Sequence, residues 1–304
     1  MRSIQRDAFV ISAPMKERAR RLNQAVRNCE LLFVLTPSGS GKDRFFDWWW
    51  QEGCAHPEIA DNQPVNANDI ILVSLTPPPS RSVPPTCVAF IKIWRGLQEL
   101  DRATTAQERT RPTGKPRSWF TEQQSLSLVY DFALPLDDDL QPQAYVLLNG
   151  EYLDKAVWRY LLELQSPIQR GAPRLARRSL IICASVDPAA AEDSKFAKMI
   201  SEVPELRAAW PRRMVIDLMD AAEFQEVLLR LVRQNLNAVF AEDVDQDEII
   251  QEAANWTQGI WRLLTEQLIR IIDEELGPAK SDAPRVLTKA VWERVRKRWE
   301  KRQW

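Results

Sequence analysis

Residues Leu31 to Phe46 read LLFVLTPSGSGKDRFF. The apolar run Leu31-Leu32-Phe33-Val34-Leu35 is bounded by Glu30 and by a Pro/Ser/Gly cluster, the pattern of a short buried strand. Thr36-Pro37-Ser38-Gly39-Ser40-Gly41-Lys42 follows, and Asp43 to Gln51 (DRFFDWWWQ) then reads as a helix with aromatics around much of its circumference. A strand that passes through small residues into a helix is the setting in which backbone N–H groups converge on an anion. The helix N-terminus adds partial positive charge and Lys42 adds a full one. Ser38, Gly39, Ser40, Gly41 and Lys42 are therefore candidate phosphate ligands. The plainer alternative is a Gly/Ser-rich turn with a chance lysine.

The rest of the chain supplies the setting. It has 304 residues, 45% of them hydrophobic, enough for a substantial core and one or two domains. Lys and Arg number 41 against 42 Asp and Glu. This balance excludes a uniformly basic nucleic-acid protein, though not a locally basic face. No apolar run reaches the roughly 18 residues of a membrane helix, and the first residues lack an apolar signal core, so a cytoplasmic protein is expected. Cys29, Cys54, Cys87 and Cys183 are scattered without a CxxC pair, and His56 is the only histidine. Cys/His zinc sites and Ser-His-Asp chemistry have almost nothing to work with.

Met15 to Cys29 is an amphipathic helix by its three- and four-residue apolar spacing. Further buried strands are expected at Asp69–Leu75, Ala144–Leu148 and Ser179–Ala184, with a weaker one at Met214–Leu218. Helical stretches lie between them at Thr86–Leu100, Thr121–Tyr130, Leu153–Gln165 and Ala191–Ile200. Strands alternating with helices imply an α/β fold with a mostly parallel five-stranded sheet covered on both faces. After about Asp220 the pattern is helical throughout: Ala222–Phe240, Asp245–Trp256, Gly259–Leu276 and Thr288–Trp304. Trp261, Leu264, Leu268 and Ile271 share one face there. Two domains are expected, an α/β domain over 1–220 and a small all-helical lid over 221–304.

Set against the P-loop pattern GxxxxGK followed by Ser or Thr, the loop departs at both ends. Thr36 stands at the first glycine, and Asp43 stands where the Mg²⁺-binding hydroxyl belongs. Asp43 is a candidate metal ligand, since a carboxylate can hold Mg²⁺. It is also an anion at the mouth of a phosphate nest. A second catalytic element should be an apolar strand ending in acids. In YVLLNGE, Asn149 takes the place of the metal-holding Asp and Gly150 that of the catalytic Glu, leaving Glu151 one residue late as the candidate base. Ser127–Asp131 is a weaker rival. Ser185, after SLIICA, is the candidate γ-phosphate sensor. Arg212 and Arg213, with Arg207 nearby, are candidates to reach a neighbouring subunit's nucleotide, and Arg262 is the candidate nucleotide contact at the start of a lid helix. Each arginine could equally be a solvated surface charge.

With these elements in place the chain resembles the AAA+ ATPases, and most of all the transposition-regulator ATPases of the TnsC/TniB type, relatives of MuB. The resemblance rests on the helix leading into TPSGSGK, the strand with a proline-rich tail ILVSLTPPPS, the sensor-like SLIICASVDP followed by ELRAAWPRRMVIDL, and the lid IIQEAANWTQGIWRLLTEQLIRIIDEEL. It covers roughly residues 8 to 295. It implies ATP and Mg²⁺ as cofactors, a homo-oligomeric ring or filament on double-stranded DNA without sequence preference, and a link between a target-selection protein and a transposase. Asp43, Asn149 and Gly150 depart from that family, so hydrolysis is expected to be slow or absent.

Two basic segments bear on DNA. Arg109, Arg111, Lys115 and Arg117 form an acid-free loop, the candidate DNA contact. Lys289 to Trp304 carries seven basic residues against two acids; Trp292, Trp299 and Trp304, at intervals of seven and five, form no single stripe and are possible anchors for a protein partner. The competing class is a nucleotide-free pseudo-ATPase serving as a structural adaptor in a mobile-element or phage-defence complex. A small-molecule kinase fits poorly, because a helical lid follows the sheet and no second carboxylate is placed.

Overall fold

The computed structural model describes residues 10–78, 85–104, 134–166, 176–278 and 283–302. They form two compact units. One comprises residues 18–38 and 47–216; the other comprises 217–304 with 39–46 and the N-terminal 17 residues, so far as these are described.

The first unit is built on a five-stranded parallel sheet. Its strands are β1 (Leu31–Thr36), β2 (Ile70–Ser74), β3 (Ala144–Leu148), β4 (Ser179–Ser185) and β5 (Met214–Val215). The spatial order is β2-β3-β4-β1-β5, so β1 is internal, hydrogen-bonded to β4 on one side and β5 on the other. In β1, β3 and β4 almost every residue is buried. That is why they read as unbroken apolar runs rather than alternating ones. The register pairs Thr36 with Ser185 and Leu148 with Cys183, which sets the carboxyl ends of β1, β4 and β3 side by side. The strand expected over Met214–Leu218 pairs at only two residues, although Ile216 N–H extends the contact by donating to Leu35 O.

The helices follow from local signals. α1 (Ala13–Arg27) starts at Ser12, whose hydroxyl accepts from Met15 N–H. α2 (Lys42–Gln51) follows the small-residue loop, and a one-turn α3 (Pro57–Ala60) starts at a proline. α4 (Pro85–Thr104) and α5 (Leu134–Leu140) come next. α6 (Lys155–Gln165) begins two residues after the expected Leu153, because Asp154 accepts from Val157 N–H and fixes the boundary. The helix expected over Ala191–Ile200 is instead a 3₁₀ segment, Pro188–Asp193, then α7 (Lys195–Ser201). Ser194 caps α7 on Ala197 N–H, and the short α8 (Pro204–Ala209) follows. Phe33, Trp158, Phe196 and Trp210 meet in edge-to-face and tilted contacts in the core, with centroids 5.6–6.3 Å apart. α1 is bound by a buried network: Asn23 donates to Cys54 O and accepts from Trp49 Nε1–H, both at 2.9 Å.

The second unit corrects the expectation of an all-helical lid. α9 (Ala221–Arg230) ends in a π-helical turn, Leu231–Asn235, and the chain then forms β6 (Ala238–Phe240) rather than continuing as helix to Phe240. β6 pairs in parallel with β7 (Arg285–Leu287). Both strands are three residues long and carry exposed valines, Val239 and Val286, so neither gives a buried-strand signature. Arg285 holds the ribbon by donating to Leu236 O and Gly277 O and pairing with Asp273 at 2.8 Å. α10 (Gln246–Thr257) is capped by Asp245, and α11 (Ile269–Leu276) is preceded by a π-helical turn over Leu263–Leu268. α12 (Lys289–Glu300) is capped by Thr288. The face expected to carry Trp261, Leu264, Leu268 and Ile271 is buried throughout.

Two of the three tail tryptophans are also corrected, and Trp304 lies outside the described residues. Trp292 and Trp299, seven residues apart on α12, are both buried and both stack on Trp256 of α10, at 5.2 and 5.8 Å. A seven-residue interval is two helical turns, so these rings form a stripe inside the unit and are not free to anchor a partner. The basic tail is likewise partly spent. Arg294 and Arg298 pair with Glu274 and Glu275, and Arg296 pairs with Glu252. Hydrogen bonds from Arg294 and then Arg298, with their charges, outweigh the opposing effect of burial and hold Glu275 below the usual glutamate range. The outward residues Lys289, Lys297, Lys301 and Arg302 remain exposed.

Candidate functional site

The loop between β1 and α2 has the backbone that its glycines allow. Gly39 and Gly41 both take positive φ, at 86° and 82°. Side chains with a Cβ are strained there, so the two glycines permit the chain to curl twice around Ser40. Lys42 then opens α2, a ten-residue helix whose first N–H groups have no carbonyl one turn back. Phe45 N–H, donating to Gly41 O, makes the first intrahelical bond. The Ser40 hydroxyl is buried with no hydrogen-bond partner among the described residues. Lys42 is largely covered, with its side chain 14% exposed, while Asp43 is 64% exposed, and Lys42 Nζ lies 3.9 Å from Asp43 Oδ1. So long a contact to an exposed carboxylate is weak, and leaves the ammonium only partly neutralised.

The same unit brings the start of the lid segment onto this loop. A Cβ built on Gly39 would lie 2.7 Å from Ile260 Cγ2, and one on Gly41 would lie 2.8 Å from Trp261 Cγ. Arg262 is next in sequence. Its side chain is exposed and pairs along the helix with Glu266 at 3.0 Å. Sequence reasoning named Arg262 as a candidate and assigned Trp261 only to the core. The signal for more was the tripeptide Gly259-Ile260-Trp261, where a positive-φ glycine turns two bulky side chains together.

In the first unit, the carboxyl edge of the sheet gathers Thr36, Asn149, Gly150, Glu151 and Ser185. Thr36 is fully buried and its hydroxyl has no partner among the described residues. Asn149 takes a left-handed backbone, φ 61° and ψ 45°, which asparagine tolerates better than most residues. Its amide donates to Ser74 Oγ at 3.2 Å and Leu75 O at 3.0 Å, so the side chain ties β3 to the end of β2. Lys92 of α4 donates to Ser74 O at the same corner. Burial first, and then the neighbouring charge of Arg95, hold its ammonium below the usual lysine range. Gly150 is buried, and a Cβ there would meet Ile182 Cγ2 at 2.5 Å, so no side chain fits. Glu151 Oε2 accepts from Ser185 N–H at 2.8 Å, which joins the expected base to the expected sensor position through the sensor's backbone. The neighbouring acids are also bound to main-chain amides: Asp154 caps α6, and Asp187 accepts from Ala189 N–H.

The arginines before β5 differ from each other. Arg213 lies over the Trp210 ring, 4.9 Å from its centroid, and pairs with Glu192 at 2.8 Å. Arg212 ends a 3₁₀ turn and is exposed. Arg109, Arg111, Lys115 and Arg117, the Ser127–Asp131 segment and the Thr121–Tyr130 helix lie outside the described residues.

For a divalent metal, the described residues contain no cluster of three His, Cys, Asp or Glu side chains. Asp43 is the one carboxylate on the loop itself. A single carboxylate suits Mg²⁺ only when phosphate oxygens and water complete the octahedron.

The chain matches no protein-family model and no curated protein sequence. Its shape does match solved structures. The Walker-type ATPase paby2304 of Pyrococcus abyssi superposes with a TM-score of 0.54 at 15% identity, covering 97% of this chain and 72% of that one. The structure of Drosophila ORC bound to DNA gives 0.53 at 13% identity, covering 97% of this chain and 62% of that one. The chain shares the α/β fold of these structures. In that fold the glycine pair and Lys42 occupy the strand-to-helix loop, and no described helix is long and apolar enough to cross a membrane.

Proposed function

We propose that the protein binds ATP at Ser38 to Asp43 and works as an AAA+ assembly factor of the TnsC/TniB type. In this reading it oligomerises on double-stranded DNA and links target selection to a transposase. The observation that carries the nucleotide half is the pair of positive-φ glycines around Ser40, directly ahead of Lys42 at the start of α2. Such a glycine pair lets consecutive amides turn toward one point, and the helix start adds a dipole and a cation. The DNA half is supported by the fold shared with ORC, whose structure was determined bound to DNA. The transposition setting is supported by the sequence resemblance alone.

Mg²⁺ would be held by Asp43 and by the nucleotide's own oxygens, and would neutralise phosphate charge. Hydrolysis is slow or absent in this reading. Asn149 is committed to β2, Gly150 has no space for a carboxylate, and one Glu151 oxygen is committed to Ser185 N–H. Arg212 or Arg213 would reach a neighbouring protomer, and Arg262 would contact the nucleotide on release from Glu266. Calorimetric titration with ATP, with and without Mg²⁺, tests the first claim. Imaging with ATP and duplex DNA tests the second. Binding with negligible turnover, and rings or filaments that need both ligands, are the expected results.

The second reading is a pseudo-ATPase adaptor, favoured by Asp43 beside Lys42. No ATP binding under either metal condition would select it, and turnover at ordinary AAA+ rates would overturn both readings.

A further inference from the structure

The loop's glycines have a second role besides their backbone angles. Gly39 and Gly41 are the two points at which Ile260 and Trp261 press on the loop, at distances no Cβ could share. Trp261 is 2% exposed, so its indole is enclosed rather than resting on a surface. The wall is itself fixed. Gly259, at φ +70°, sits where a Cβ would lie 2.5 Å from Met219 O, and Met219 N–H donates to Gly259 O at 3.2 Å. Ile260 N–H donates to Thr257 O, and Thr257 Oγ1 donates to Ala253 O. Trp261 then leads into the buried face of Leu264, Leu268 and Ile271. A rigid turn thus delivers two bulky side chains onto the two residues whose backbone shapes the amide cradle.

We propose that Ile260 and Trp261 are positioning residues for the phosphate-binding loop. Their side chains hold Gly39 and Gly41 in the left-handed pair, so the cradle takes shape only with the 259–261 turn in place. Loop order and the integrity of the helical unit are then one equilibrium. A ligand that needs the ordered loop stabilises the lid segment by linkage, and loosening the turn weakens the ligand. The ligand arm rests on the reading of the loop as a nucleotide site; the loop arm does not.

The test uses the full-length chain, with Trp261→Ala, Trp261→Phe, Gly41→Ala and the double variant Gly41→Ala/Trp261→Ala. In the absence of ligand, amide hydrogen exchange over residues 39–44 should quicken in Trp261→Ala and stay near wild type in Trp261→Phe. Gly41→Ala should lower Tm strongly in the wild-type background and by less once the indole is gone, because the steric part of its cost disappears and only the φ strain remains. With ATP as probe, Trp261→Ala should bind about tenfold or more weakly and Trp261→Phe within about threefold of wild type. Unchanged loop exchange in Trp261→Ala together with additive Tm shifts would overturn the proposal, whatever ATP does. A wild-type chain that binds no ATP would instead sink the reading of the site, and the exchange and Tm results would still decide the positioning role.

Discussion

Two turns leave the same carboxyl edge of the sheet and use their residues in opposite ways. The loop after β1, Pro37 to Asp43, uses its glycines for positive φ, leaves the first amides of α2 without intrahelical partners, and gives Lys42 a 3.9 Å contact with Asp43. The turn after β3, Asn149 to Tyr152, uses its glycine for close packing on Ile182 and spends its polar groups on neighbouring strands. The first has the small residues, cation and helix N-terminus that suit a phosphate. The second spends its polar groups on structure. In the proposed reading, binding and hydrolysis are separable, because the two depend on different strands.

The harshest way to break the contrast is to put the missing carboxylate back. Gly150→Glu must force a side chain into Ile182 and Phe196 and place a charge among buried apolar groups. It should cost about 3 kcal/mol or more and lower Tm by roughly 6–12 °C, with no gain in ATP turnover. A variant with wild-type Tm and measurable hydrolysis would show that the turn is a dormant catalytic site. Asn149→Asp is the milder form. The amide that donates to Leu75 O would become an acceptor facing an acceptor, costing about 1–3 kcal/mol. Thermal denaturation of the purified variant checks this, and a neutral result would mean that Asn149 is not the strut its hydrogen bonds suggest.

On the other side, Lys42→Ala removes the charge from the open loop. ATP affinity should fall about 10- to 100-fold, the equivalent of a lost charge-assisted contact, while Tm without nucleotide moves little because the Lys42–Asp43 contact is long and its carboxylate is exposed. A calorimetric titration showing equal affinity in wild type and variant would remove Lys42 from the site.

The contrast also explains what the amino-acid order could and could not reveal. The sheet was legible because buried parallel strands need continuous apolar runs, and LLFVL, AYVLL and SLIICA have them. The loop was legible because small residues before a helix have few other uses. The β6–β7 ribbon was hidden, since three-residue strands with exposed valines carry no periodicity. The tail was misread for a different reason: basic residues in sequence look free until the acids that face them, Glu252, Glu274 and Glu275, are placed by tertiary packing. At the site, the glycine at 150 was visible as a missing glutamate. Its role as a contact with Ile182 was not, because that depends on a strand some thirty residues away.

Asp43 is where the comparison is finest, since it is the one residue of the open loop that departs toward the closed turn's chemistry. It is exposed and stands 3.9 Å from Lys42 Nζ. Two unit charges at about 4 Å interact by about 1 kcal/mol in water, so its influence on a phosphate bound nearby is of that order. Replacing it by the hydroxyl of the usual pattern, Asp43→Thr, removes the repulsion. Without Mg²⁺, ATP affinity should rise about fivefold. With Mg²⁺ the gain should shrink, because the carboxylate then bridges to the metal and the wild-type penalty is offset. The measurement is a pair of titrations, metal-free and metal-replete, for both proteins. A gain that is equal in both conditions would mean that Asp43 acts by charge alone and holds no metal. Indifference to the substitution in both would place the phosphate elsewhere, and the loop after β1 would then be as closed as the turn after β3.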